Sequence, residues 1–136
     1  MKNIKKELKT RLREALQNMA ASRGVEAEVP EDSLVLEKPP RLELGDIAVP
    51  LFPFAKLFKS SPPKIAEELA GRLAEDAGPG RLSCATAGPY LNIRLDREEV
   101  TQKTLSRLQE EGESYGASKI LSGEKIMVEF SSPNTN

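Results

Sequence analysis

Three stretches of this chain carry apolar residues at helical spacing along one side only, and shorter stretches that alternate or break at proline separate them. In the first, Ile4, Leu8, Leu12, Ala15, Leu16 and Met19 recur every three or four residues, while Lys5, Lys6, Lys9 and Arg13 fall largely off the stripe and Gly24 supplies a stop. In the second, Ser61 is placed to cap, Pro62 and Pro63 suit a first turn, and Ile65, Leu69 and Leu73 share a side. In the third, Asp96-Arg97-Glu98-Glu99 has the form of a capping box, with Val100, Thr104 and Leu108 expected inward and Gly112 at the end. A helix with one apolar stripe has to bury that stripe against another element, so three of them demand a shared surface.

The intervening stretches can supply it. Ser33–Leu36, Asp46–Val49, Leu82–Ala87 and Tyr90–Leu95 are strand candidates, the last two joined through Gly88-Pro89. Phe52–Phe58 reads as a short helical turn, because Phe54, Leu57 and Phe58 fall on one side, and Gly78-Pro79-Gly80 forces a turn. The expected fold is therefore α+β: a two-layer sandwich with a four-stranded antiparallel sheet and helices packed on one face. A length of 136 residues suits one domain, here 1–112. Glycines at 112, 116 and 123 mark a linker over 113–125, and Ile126–Phe130 reads as one more strand, outside the sandwich, running into a polar loop over 131–136.

Composition removes several functions. With no histidine and a single cysteine, Ser–His, Cys–His and His-rich zinc chemistry are excluded, and no phosphate-binding glycine loop is present. Cys84 alternates with Leu82 and Thr86 and reads as a small core residue, and the one thiol fits a reducing compartment. The apolar runs are far shorter than the ~20 residues of a membrane helix, and the amino-terminal stretch lacks the apolar segment of a secretory signal, so a cytoplasmic protein without membrane contact is expected. The net charge of −1 hides a gradient: residues 1–23 hold seven Lys or Arg against two Glu, and residues 24–46 hold seven acids against Lys38 and Arg41. Such asymmetry permits a local anion-binding face on a neutral protein.

Tyr90-Leu91-Asn92-Ile93-Arg94-Leu95 is the most informative stretch. Strand side chains alternate, so Leu91, Ile93 and Leu95 take one face and Tyr90, Asn92 and Arg94 the other. A ring, an amide and a guanidinium in a row can stack on an unpaired base, hydrogen-bond its edge and meet a phosphate. The same three residues also suit the ordinary solvent face of a half-buried strand, and spacing alone leaves both readings open.

Further motifs carry a resemblance. Gly45-Asp46-Ile47-Ala48, then Pro62-Pro63-Lys64-Ile65-Ala66-Glu67-Glu68-Leu69, then Ala87-Gly88-Pro89-Tyr90-Leu91-Asn92, and Tyr115-Gly116 before the linker, follow one another in an order similar to the appended N-terminal domain of arginyl-tRNA synthetases. Many members carry an extra residue between the Gly-Pro turn and the aromatic; here Tyr90 follows directly. The resemblance implies a module that grips the tRNA elbow, with Tyr90 and Asn92 contacting a D-loop base and Arg94 beside them. Gly45-Asp46 is explained by turn chemistry and is assigned no ligand.

The tail is similar too. Val128-Glu129-Phe130-Ser131-Ser132-Pro133-Asn134 resembles the run that opens the synthetase catalytic domain, ahead of a His-x-Gly-His ATP signature. The resemblance implies that 126–136 is the first strand and loop of a truncated catalytic domain, in which Glu129, Ser131 and Asn134 help to bind arginine; a carboxylate suits a cationic substrate. ATP and arginine would be substrates of the full-length ligase, while the fragment alone would catalyse nothing and hold no cofactor or metal. The expected partners are tRNA and the missing catalytic domain, and the fragment is expected to be a monomer whose tail finds neighbouring strand edges. A general RNA- or ribosome-associated module and a protein-interaction domain are the alternatives.

Overall fold

The computed structural model of the protein describes residues 2–26, 28–75 and 82–131. Helices form where the apolar spacing predicts them: α1 (Lys2–Ser22), α3 (Pro62–Glu75) and α4 (Arg97–Glu111), with a single turn, α2 (Ala55–Phe58), following a 3₁₀ turn at Phe52–Phe54. Gly24 ends α1 at a φ of +68°. There the Val25 N–H donates to the Ala20 carbonyl (2.9 Å) and the Gly24 N–H to that of Ala21 (3.1 Å), satisfying carbonyls that a helix end otherwise leaves open. At the start of α4 the Asp96 carboxylate accepts from the N–H groups of Glu98 (2.8 Å) and Glu99 (3.2 Å). Glu99 turns its own carboxylate to Lys103 (2.9 Å) instead of completing a capping box. The expected turn at Gly78-Pro79-Gly80 lies outside the described residues.

The sheet has three antiparallel strands, not four: β1 (Ile47–Pro50), β2 (Ser83–Ala87) and β3 (Tyr90–Arg94), in the order β1-β3-β2. β2 and β3 form a hairpin in which Ala87 pairs with Tyr90. Gly88 takes a φ of +56° ahead of Pro89, whose ring holds its own φ negative, the sign pattern of a two-residue type II′ turn. The expected strand at Ser33–Leu36 does not form. In its place Glu37 makes one bridge to Ala48, with bonds of 2.9 Å in both directions. Pro39 and Pro40 have no N–H to carry that ladder further, and a 3₁₀ turn at Glu31–Ser33 occupies the other end.

One core fills the space between sheet and helices. Register sets Ile47 opposite Ile93 and Val49 opposite Leu91, so these four share the inner face, where all are buried. α3 lies on β2 and β3, and α1 packs against α3. Leu8, Leu12, Leu16 and Met19 of α1 and Ile65, Leu69 and Leu73 of α3 complete the cluster, with Phe54 and Phe58 closing one end. Each fully buried side chain of this size stabilises the fold by about 1.5–3 kcal/mol. Arg23 ties α1 to the other helices. It donates to the Phe58 carbonyl (3.0 Å), lies over the Phe58 ring and pairs with Glu68, which Arg72 also reaches (3.3 Å).

Contacts divide the chain into two units, Met1–Lys103 and Thr104–Asn136. Among the described residues of the second, none is fully buried. Leu108, expected inward, is exposed, as are Leu105 and Tyr115, because this unit gathers too little apolar surface for a core. Ile126–Phe130 has no regular structure, and Met127 and Phe130 are almost wholly exposed; a strand requires a neighbour for its N–H and C=O groups.

The backbone at Gly45 has a φ of +141°, and a Cβ there would meet the Ile93 carbonyl oxygen at 2.9 Å. Gly45→Ala is expected to cost on the order of 1–3 kcal/mol in denaturant unfolding. Gly24→Ala has open space around it and is expected to cost about 1 kcal/mol, from backbone conformation alone. Equal losses would remove the close-approach argument. In hydrogen exchange, the amides of 126–130 are expected to exchange far faster than those of β3; equal protection in a monomer would make the tail part of this fold.

Candidate nucleic-acid interface

Gly45 and Asp46 hold the first and central strands together. The Asp46 N–H donates to the Ile93 carbonyl (2.9 Å), and its carboxylate accepts the Leu95 N–H (2.9 Å), carrying the ladder past the last paired residues. Arg97 reaches the same carboxylate only at 3.8 Å and is largely exposed, so that ion pair adds little. This clamp also fixes the segment just before it. Glu37, Lys38, Pro40 and Leu44 come to lie along the outer face of the sheet and roof part of it.

The roof changes the expected face. Tyr90 is half-buried and Arg94 exposed, as the strand alternation predicts, but Asn92 is only 3% exposed rather than facing solvent. Its neighbours across the sheet are Ala48 on β1 and Ala85 on β2. With Ala48 and Ala87 offering only methyl groups, a hollow of about 200 Å³ is left, lined also by Lys38, Pro40, Leu44, Tyr90 and Asn92 among others. Asn92 is the buried polar residue of this face, and its side chain lines the hollow. A side-chain amide holds two donors and an acceptor, which a group entering the hollow could meet.

Tyr90 stands at the edge of the hollow. Its ring meets Phe52 edge-on, with centroids 5.7 Å apart and planes at 86°. The Leu51 N–H donates to the Pro89 carbonyl (3.0 Å), fastening the 3₁₀ turn that carries Phe52 to the hairpin turn that carries Tyr90. Arg94 does not line the hollow. Its guanidinium donates to the Glu43 carbonyl (2.9 Å), bracing the roof from the side and leaving other N–H groups toward solvent. Beyond the roof a second, wider cleft of about 480 Å³ has Lys5, Lys38 and Arg97 on its walls beside Glu37 and Asp46, so Lys38 borders both openings.

Lys38, Leu44 and Phe52 were not among the residues singled out from the sequence. The signal for Lys38 was available: it and Arg41 are the only cations in an otherwise acidic stretch, and they flank two prolines. Phe52 gave none, since its nearness to Tyr90 depends on β1 pairing with β3. Glu129 and Ser131 belong to the second unit and are exposed on an irregular segment, and Asn134 lies outside the described residues. Among the described residues no group of His, Cys, Asp or Glu could hold a metal. Cys84 packs against the core, and burial pushes its thiol up to about 11 against a small opposing pull from Arg11, so it is no nucleophile near neutrality. No described helix is long and apolar enough to cross a membrane.

Fold and hollow together define a small α+β domain with a hollow on one face of its antiparallel sheet. Residues 6–95 match the family described as the arginyl tRNA synthetase N terminal domain, and the chain belongs to that family. An arginine–tRNA ligase of Treponema denticola is 46% identical over 106 residues, covering 77% of this chain and 18% of the relative. One from Borrelia duttonii is 35% identical over the whole chain, which amounts to 22% of the relative. The chain therefore spans about a fifth of the length of these relatives. Among solved structures, Thermus thermophilus arginyl-tRNA synthetase is similar with a TM-score of 0.57 and 31% identity, over 74% of this chain and 15% of that one.

The amide lining the hollow generates a prediction. Asn92→Leu replaces it with an apolar side chain of similar size, and thermal unfolding is expected to show stability unchanged or raised by about 1–2 kcal/mol. A clear loss of stability would mean that Asn92 serves the fold and not a ligand.

Proposed function

We propose that this chain is the tRNA-gripping domain of an arginine–tRNA ligase, holding the elbow of the tRNA through an unpaired base of the D-loop. The observation that carries this reading is the buried Asn92 amide, open toward the hollow beside the Tyr90 ring, in a chain of this family. The Tyr90 ring offers a face for stacking, Asn92 offers donors and an acceptor to a base edge, and Lys38 and Arg94 supply positive charge for the adjoining backbone. Residues 1–112 form the binding domain in this reading and 113–125 a linker. Residues 126–136 are the opening of a catalytic domain in which Glu129, Ser131 and Asn134 contribute to the arginine site. ATP and arginine are then substrates of the whole ligase, in the cytoplasm, and this chain by itself holds neither with useful affinity.

The charge balance bounds the affinity. With a net charge of −1 and cations concentrated in α1, few phosphates are neutralised. Dissociation constants of roughly 10⁻⁴ to 10⁻⁶ M are expected for an arginine tRNA transcript, with a shallow dependence on salt. Tyr90→Ala is expected to weaken that binding by about 1–3 kcal/mol, the worth of one base–aromatic stack, with little change in folding. Fluorescence anisotropy titrations of the two proteins provide the check. Nanomolar binding unchanged by salt would contradict the electrostatic account. Equal binding to any structured RNA would point to a general RNA module, and no RNA binding to a protein-interaction domain.

A further inference from the structure

Phe52 has no part in the core. It is 54% exposed, although Phe54 two residues on and Phe58 beyond it are buried. The 3₁₀ turn that carries it is held in place by the Leu51–Pro89 hydrogen bond, and Pro53 stiffens the same turn. An exposed aromatic ring on a braced turn, in contact with the ring expected to stack on a base, is more than an isolated surface hydrophobe. Phe52 does not line the hollow beneath the roof, so it extends the aromatic surface past Tyr90.

We infer that Phe52 is a second base-contacting residue, so that the site takes two neighbouring unpaired nucleotides: one in the hollow with Tyr90 and Asn92, the next against the exposed ring of Phe52. This rests on the reading of the hollow as an RNA site. The chemistry is sequence-tolerant, because every base has a face that stacks on an aromatic ring. The perpendicular Phe52–Tyr90 pair gives it a defined geometry: with planes at 86° the two rings cannot stack on the same base, so each would take its own.

The competing role is that Phe52 only props Tyr90, and a double-mutant cycle separates the two. Binding of an arginine tRNA transcript at low ionic strength is measured for the chain and for Tyr90→Ala, Phe52→Leu and the double variant, with thermal unfolding as the control. Leucine keeps an apolar side chain beside Tyr90 but removes the stacking face, and the exposure of Phe52 argues that the fold tolerates it. Phe52→Leu is expected to weaken binding about 5- to 100-fold, and to do so again in the Tyr90→Ala background. Phe52→Tyr, which restores a ring, is expected to bind within about 2-fold of the parent. The inference is overturned if Tyr90→Ala weakens binding while Phe52→Leu has no effect, or has one only when Tyr90 is present. If Tyr90→Ala leaves binding unchanged, the reading of the hollow itself fails, and the inference with it.

Discussion

Gly45 meets the end of β3 at a distance that no side chain would allow, and Asp46 beside it is bonded there twice. The Asp46 amide takes the Ile93 carbonyl, and its carboxylate takes the Leu95 amide. The Gly45 backbone lies so close that a single methyl group would collide with Ile93. Two consequences follow. The inner face gains its register, Ile47 on Ile93 and Val49 on Leu91, which is what the stripes of α1 and α3 pack around. The outer face gains its roof, because the chain leading up to Gly45 has to run across it. A motif that looks like turn chemistry in the sequence thus positions both the core and the hollow.

The hollow is a compromise between stability and use. A sheet face covered in this way would be more stable with an apolar residue at position 92. Asparagine there lines a site of about 200 Å³ together with Ala48 and Ala87, whose small side chains leave it open. Small neighbours around one polar group suit recognition better than packing.

The second unit obeys different physics. Lys103, whose ammonium is held above the ordinary lysine range by Glu99 and then Glu7, is the last residue of the first unit. Beyond it Leu105, Leu108, Tyr115, Ile126 and Phe130 are exposed.

Local chemistry made part of this molecule legible without coordinates. The stripes of α1 and α3, the Gly24 stop, the Asp96 cap and the Gly88-Pro89 hairpin all rest on interactions within a few residues, and each formed where the sequence predicts. Tyr90 and Arg94 were readable for the same reason, since strand alternation is local. The strand at Ser33–Leu36 was not, because strand formation is decided by what lies alongside, and prolines after Lys38 limited the contact to one bridge at Glu37. The burial of Asn92, the border position of Lys38 and the meeting of Phe52 with Tyr90 are decided by tertiary structure alone. Each arises from contact between residues about 40 to 55 positions apart, and no periodicity records which distant segment will cover a face.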